Sequence, residues 1–252
     1  MSDPFHSSKY SIEHAKRRLR ELEGEISVFF KTDPYARVIE FNTDRVEDAH
    51  KVKLVKPMPV GLPGIAFDVV SSLRSALDQV GYAVAVAAGN SGRDAHFPFG
   101  PTFADVESRR TRRSKDIHKD IFDLMVSFKP YKGGDDLLWA LNQLCNSHKH
   151  EIVTPVAMST GSTMLNHANF QGLIALEIPP RWDRAKNEMI LVRVRHGTRV
   201  DYDFQIQMFI AMAEVDVVDG QPADAVLNTL VGKVEGIILT IEAESRRIGI
   251  IK

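Results

Sequence analysis

The sequence predicts an α+β protein: a helical half packed with an antiparallel sheet and finished by a C-terminal helix. Three patterns point there. Apolar residues recur at steps of three and four through several segments of the first 150 residues. Alternating or continuous apolar runs of strand length follow Glu151. A last amphipathic stretch opens at Gln221-Pro222. Helices and strands segregated along the chain in this way give α+β packing rather than a parallel sheet.

From about Ser8 to Phe30, Ile12, Ala15, Leu19, Leu22, Ile26 and Phe29 make one helical face, with Lys16, Arg17, Arg18 and Arg20 on the others. Such a face suits core packing, and a coiled coil or partner helix would use the same pattern. Asp33-Pro34 breaks it. "YARVIEF" and "HKVKLVK" alternate as strands, and the polar "NTDRVEDA" between them makes a hairpin. Three prolines make "KPMPVGLPG" a rigid connector. The next stretch is apolar at Ala66, Val69, Val70, Leu73, Ala76, Leu77 and Val80, and reads as the central buried helix, stopped by Gly89-Asn90.

"RDAHFPFGP" is a loop. Thr102 with Asp105 forms a capping-box variant that starts a short charged helix. "DIHKDIFDLMVSF" continues as a helix with Ile117, Ile121, Leu124, Met125 and Phe128 on one face. After the turn "KPYKGGD", Asp135 can cap a helix that runs into "LCNSHKHE". "IVTPVAM", "GLIALEI", "EMILVRVRH" and "YDFQIQMFIAMAEV" read as strands, and Val226 to Ile241 as the closing helix. No repeat, low-complexity tract or convincing linker interrupts the chain. The expectation is one domain over residues 1–252, helix-rich to 150 with an N-terminal hairpin and strand-rich from 151.

Hydrophobic residues at 44% and charged residues at 26% describe a globular chain. Lys plus Arg (32) and Asp plus Glu (33) nearly cancel, so any preference for an anionic partner must come from local clustering. The single cysteine, Cys145, can form no internal disulfide and no multi-thiolate zinc site. No signal-peptide pattern opens the chain and no apolar run is long enough to span a bilayer. A cytoplasmic location is expected, with no membrane partner.

Chemistry concentrates at "LCNSHKHE", residues 144–151. On an ideal helix Asn146 and His150 lie about 40° apart on one face, one turn along. His148 falls with Leu137, Leu141 and Leu144 on the core face. Three readings stay open. His148 and His150 could bind a metal with Glu151 or His118, although their spacing is poor for a helix. His150 could act as acid or base on a substrate held by Asn146 and Lys149. Alternatively, Asn146, His148 and His150 cap the carbonyls of the helix end. Arg74 and Asp78, spaced i, i+4 on the central helix, form an ion pair or orient this end.

The stretches "LRSALDQVGYAV", "HFPFG", "FKPYKGG" and "LLWALNQLCNSHKH" resemble a widespread set of uncharacterised bacterial proteins, which implies no activity. More distantly, the helical half resembles the HEPN superfamily, whose nuclease members carry an arginine, usually a polar residue after it, and a histidine four to six residues after the arginine. The matching positions are Cys145, Asn146 and His150. Asparagine and histidine fit, while cysteine stands for arginine, and a thiol cannot hold a phosphate as a guanidinium does. Arg74 or Lys149 would supply the missing charge.

A second candidate is "ESRRTRRSKD", where Arg109, Arg110, Arg112, Arg113 and Lys115 could meet phosphates. Asp105, Glu107, Asp116 and Asp120 flank the run, as they would a solvated helix face. The expected function is RNA association, as a binder or metal-independent ribonuclease with no cofactor and no metal. His150 would be the base, Asn146 a substrate contact, and Lys149 with Arg74 the phosphate charge. The rival is a non-catalytic protein-interaction module using the first helix or a sheet edge, and a homodimer is open.

Overall fold

Apolar spacing, two prolines and a few glycines set the helices of this α+β chain. The computed structural model describes residues 3–42, 44, 46–146, 152–159, 165–176, 180–204 and 206–251. Two compact units are woven from alternating segments: Met1–Gly24, Val60–Val153 and Met212–Lys252 form one, Glu25–Pro59 and Thr154–Ala211 the other.

In the first unit, helix α1 (His6–Phe30) buries Ile12, Ala15, Leu19 and Leu22. Its polar face is tied down by Lys16–Glu235 at 2.7 Å and Arg18–Asp68 at 2.8 Å. The core-packed alternative for this helix is the one observed. Pro63 sits in the first turn of α2 (Leu62–Ala87), where its missing N–H costs nothing. All seven positions predicted for its apolar face are fully buried. The helix stops where expected, with Gly89 in the left-handed region (φ +85°).

Helix α3 (Phe103–Ser108) carries the capping box: the Thr102 side chain accepts from the Asp105 amide, and Asp105 accepts from that of Thr102. A 3-10 turn (Arg109–Thr111) follows. The next helix starts later than expected, because the His118 ring accepts from the Asp120 amide and caps α4 (Lys119–Ser127) there. Asp135 accepts from the Leu138 amide at 2.9 Å to begin α5 (Asp136–Asn146). Pro222 precedes α6 (Ala223–Arg247). Helix α2 packs against α5 and α6, and so forms the axis of this unit.

The second unit is built on strands: β1 (Tyr35–Phe41), β2 (Glu47–Leu54), β3 (Val153–Ser159), β4 (Leu165–Phe170), β5 (Leu173–Leu176), β6 (Trp182–Asp183), β7 (Glu188–Arg195), β8 (Val200–Phe204) and β9 (Ile206–Met212). The hairpin β1–β2 forms as predicted, with Tyr35 opposite Leu54 and Phe41 opposite Asp48. Its second strand pairs with β7, giving the antiparallel order β1-β2-β7-β5, with β6 also on β7. The stretch read as one strand, "YDFQIQMFIAMAEV", is two: β8 pairs with β4 and β9 with β3. Strand β4, "LNHANF", lacks the alternation that would have revealed it. Val52, Met189 and Leu191 centre the core of this unit.

Candidate functional site

A cleft of about 410 Å³ opens in the first unit, and it begins with a glycine. A Cβ on Gly81 would collide with the Ala95 carbonyl oxygen, so only glycine lets the 90–100 loop run this close across α2. The loop is clamped from its other side. The His96 amide donates to Arg113 O at 2.9 Å, and the Ser114 hydroxyl donates to His96 O at 2.7 Å. Ser91 donates to Asp116 at 2.6 Å. Phe97 and Phe99 are buried with ring centroids 5.1 Å apart, anchoring "HFPFG". These contacts leave the His96 side chain half exposed at the cleft, above Asp78 of α2.

Asp78 serves three neighbours. Oδ1 accepts from the Phe97 amide at 2.9 Å and lies 3.7 Å from His96 Nδ1, a distance that becomes an ion pair when the imidazole is protonated. That separation exceeds a hydrogen bond. Oδ2 lies 2.7 Å from Arg74 Nη1. The direction of this last contact is too poor for a hydrogen bond, so Nη1 has a charge partner but no well-aimed acceptor among the described residues.

Arg74 is otherwise held firmly. Nε donates to Asn142 Oδ1 at 3.2 Å, and the guanidinium lies 4.4 Å from the centre of the Phe99 ring. The Arg74–Asp78 pair is an intrahelical ion pair, and Arg74 also contacts α5 through Asn142; the stretch 147–151 that it would orient lies outside the described residues. Asn146, exposed at the end of α5, donates to Asn142 O at 2.9 Å and lines the cleft. Between them, Cys145 donates weakly to Val70 O at 3.6 Å. Burial pushes its thiol up to about 11, although the positive charge of Arg74 pulls it the other way. Cys145 is only partly buried and forms part of the cleft wall.

The fold divides the basic run. Arg109 donates from Nε to Phe99 O at 3.2 Å and lines the cleft, as does Arg113. Arg110 turns away, 2.7 Å from Asp123 and 3.1 Å from Glu107, with its guanidinium 4.3 Å from the Phe122 ring centre. Lys115 pairs with Asp94 at 2.9 Å. Arg112 is exposed and takes no part in the cleft wall. Among the described residues the lining carries three arginines against one carboxylate, on a chain whose formal net charge is −1.

Of the residues singled out from the sequence, Arg74, Asn146, Arg109 and Arg113 meet at one cleft. His148, Lys149, His150 and Glu151 lie outside the described residues. His96 and Asn142 were not singled out as site residues. His96 stood in the quoted "HFPFG", and the hint was a glycine, Gly81, placed mid-helix where alanine would be the better helix former. Among the described residues no group of three or more His, Cys, Asp or Glu is placed to hold a metal ion, and no helix is long and apolar enough to cross a membrane. Compared with protein-family models, curated proteins and solved structures, the chain has no match.

Proposed function

We propose that this cleft binds the phosphodiester backbone of single-stranded RNA and that His96 moves the proton in a metal-independent cleavage. The observation that carries the reading is the convergence of Arg74, Arg109 and Arg113 beside His96 and Asp78, against a nearly neutral chain. Guanidinium groups match phosphate oxygens in geometry and charge. Histidine exchanges protons near neutral pH, and the Asp78 carboxylate facing Nδ1 would favour the imidazolium that forms when His96 takes a proton. In the step considered, the 2′-oxygen bonds to phosphorus while the bond from phosphorus to the 5′-oxygen breaks. The 2′-hydroxyl proton passes to His96, water supplies a proton to the departing oxygen, and the hydroxide so formed takes the proton back from His96. The balance needs no oxidant or reductant.

In a HEPN-like reading Arg74, which lines the same cleft as Cys145, would supply the charge that the cysteine lacks. The rival interaction module would use α1, whose large exposed apolar residues, Tyr10 and Val28, stand at opposite ends of the helix, or the sheet edge, where Ile39 and Phe41 of β1 are exposed. The test is an end-labelled single-stranded RNA incubated in chelator. Wild type is expected to leave 2′,3′-cyclic phosphate ends and to spare an all-DNA strand. His96→Gln should bind the RNA as before without cutting it. Binding without cutting by wild type would remove the catalytic half, and absence of RNA binding would remove the whole reading.

A further inference from the structure

A second cleft, of about 430 Å³, shares Arg74, Asp78, His96 and Cys145 with the first. Its remaining wall has a different character. Ser71, Ser75, Gln79 and Tyr82 of α2 line it together with Gly92 and Ala95, and it holds neither Arg109 nor Arg113. One wall of shared side chains therefore separates a cationic compartment from a largely uncharged one.

Tyr82 is the notable member of the second compartment. Arg74, Asp78 and Tyr82 follow one another at i, i+4 and i+8, a single stripe of α2 that steps about 6 Å per residue pair. The Tyr82 side chain leaves the residue 56% exposed, yet the ring is not loose. Gly92, in the left-handed region at φ +73°, is packed so tightly against it that a Cβ would come within 2.7 Å of ring atoms Cδ2 and Cε2. A glycine is thus used to seat an exposed aromatic ring beside the phosphate-binding groups. The chain holds that ring in place without burying it.

We infer that the Tyr82 compartment is a nucleobase subsite, in which a base of the bound RNA stacks on Tyr82 while its phosphate meets Arg74. The inference rests on the RNA reading of the first cleft and deepens it by assigning where a base goes. Aromatic stacking accepts any base, because each presents a π-face. Recognition by this device favours single-stranded over paired RNA, because paired bases are already stacked. Little sequence preference is expected.

The test compares a fluorescein-labelled single-stranded RNA with a chain of equal length that carries ribose and phosphate but no bases. Wild type should bind the base-bearing chain at least about tenfold more tightly. Tyr82→Leu, which keeps an apolar contact for Gly92, should lose that preference and bind both chains alike, while Tyr82→Phe should keep it. Tyr82→Leu retaining the full preference would overturn the inference. Equal, salt-dependent binding of both chains by wild type would overturn it and leave the cationic cleft standing. Binding of neither chain would remove the cleft's assignment along with it.

Discussion

Cys145 shows how closely a single side chain depends on its neighbours. Burial holds its thiol up near 11, whereas a free cysteine titrates near 8.5, so at pH 8 the reactive thiolate is roughly two-hundredfold scarcer than for a free thiol. Alkylation of the native protein by iodoacetamide at pH 8 should therefore run about two-hundredfold more slowly than in urea. Equal rates in the two states would show that the cleft wall does not shield this residue. His96 should behave differently. Its side chain is half exposed and lies beyond hydrogen-bond length from Asp78, so His96→Gln should cost no more than about 0.5 kcal/mol, read from urea melts. A loss of about 2 kcal/mol would make it a structural residue rather than a chemical one. The residue types at the cleft were legible in the sequence, since Arg74, Arg109, Arg113 and Asn146 could all be named from it. The placement of His96 beside Asp78 was not, because the two lie 18 residues apart and meet only through a loop crossing.

At the scale of elements, that crossing turns on Gly81. Alanine is better in a helix by about 1 kcal/mol, but here its Cβ would strike the Ala95 carbonyl, backbone that can yield only by moving the loop. Gly81→Ala should therefore destabilise the protein by about 1–3 kcal/mol and displace His96 from Asp78; a stabilised variant would contradict the close approach. In the sheet, Lys51 of β2 and Glu188 of β7 are buried together at 2.8 Å, with Lys53 and Glu40 completing a ladder of charges. Burial disfavours both ions. Hydrogen bonds override it, holding the Glu188 carboxyl below its ordinary value and the Lys51 ammonium above its own. The stability Glu188 contributes is present above the ordinary carboxylate range and is lost as pH falls through its depressed value. That of Lys51 is present below the ordinary lysine range and is lost as pH rises through its raised value. Stability from this pair should be flat across neutral pH and decline below about pH 4. Glu188→Leu alone should cost about 3 kcal/mol in urea unfolding, and adding Lys51→Met should restore most of it. A double variant as weak as the single one would mean the charges are not coupled. Periodicity revealed the long helices and the first hairpin. It did not reveal that β2 pairs with a strand more than a hundred residues later, because strand pairing leaves no mark on local pattern.

For the whole molecule, the near-zero net charge matters because it assigns any attraction for RNA to the cleft and not to a diffuse field. The arginine run looked like one patch in the sequence. Folding turns Arg110 and Lys115 to carboxylates, leaves Arg112 on the surface, and brings Arg109 and Arg113 to Arg74. This division required contacts among α2, the 90–100 loop and the 3-10 turn, which no spacing within the run encodes. It also separates a cleft from a patch experimentally. Each phosphate contact on a single strand contributes about −0.7 to the slope of log affinity against log salt. The most direct measurement is that slope for a labelled single-stranded RNA, taken with wild type, Arg109→Gln/Arg113→Gln and Arg112→Gln. The cleft predicts that the double variant is shallower by about 1.4 while Arg112→Gln matches wild type. Equal slopes for all three proteins, or an equal loss from Arg112→Gln, would contradict it.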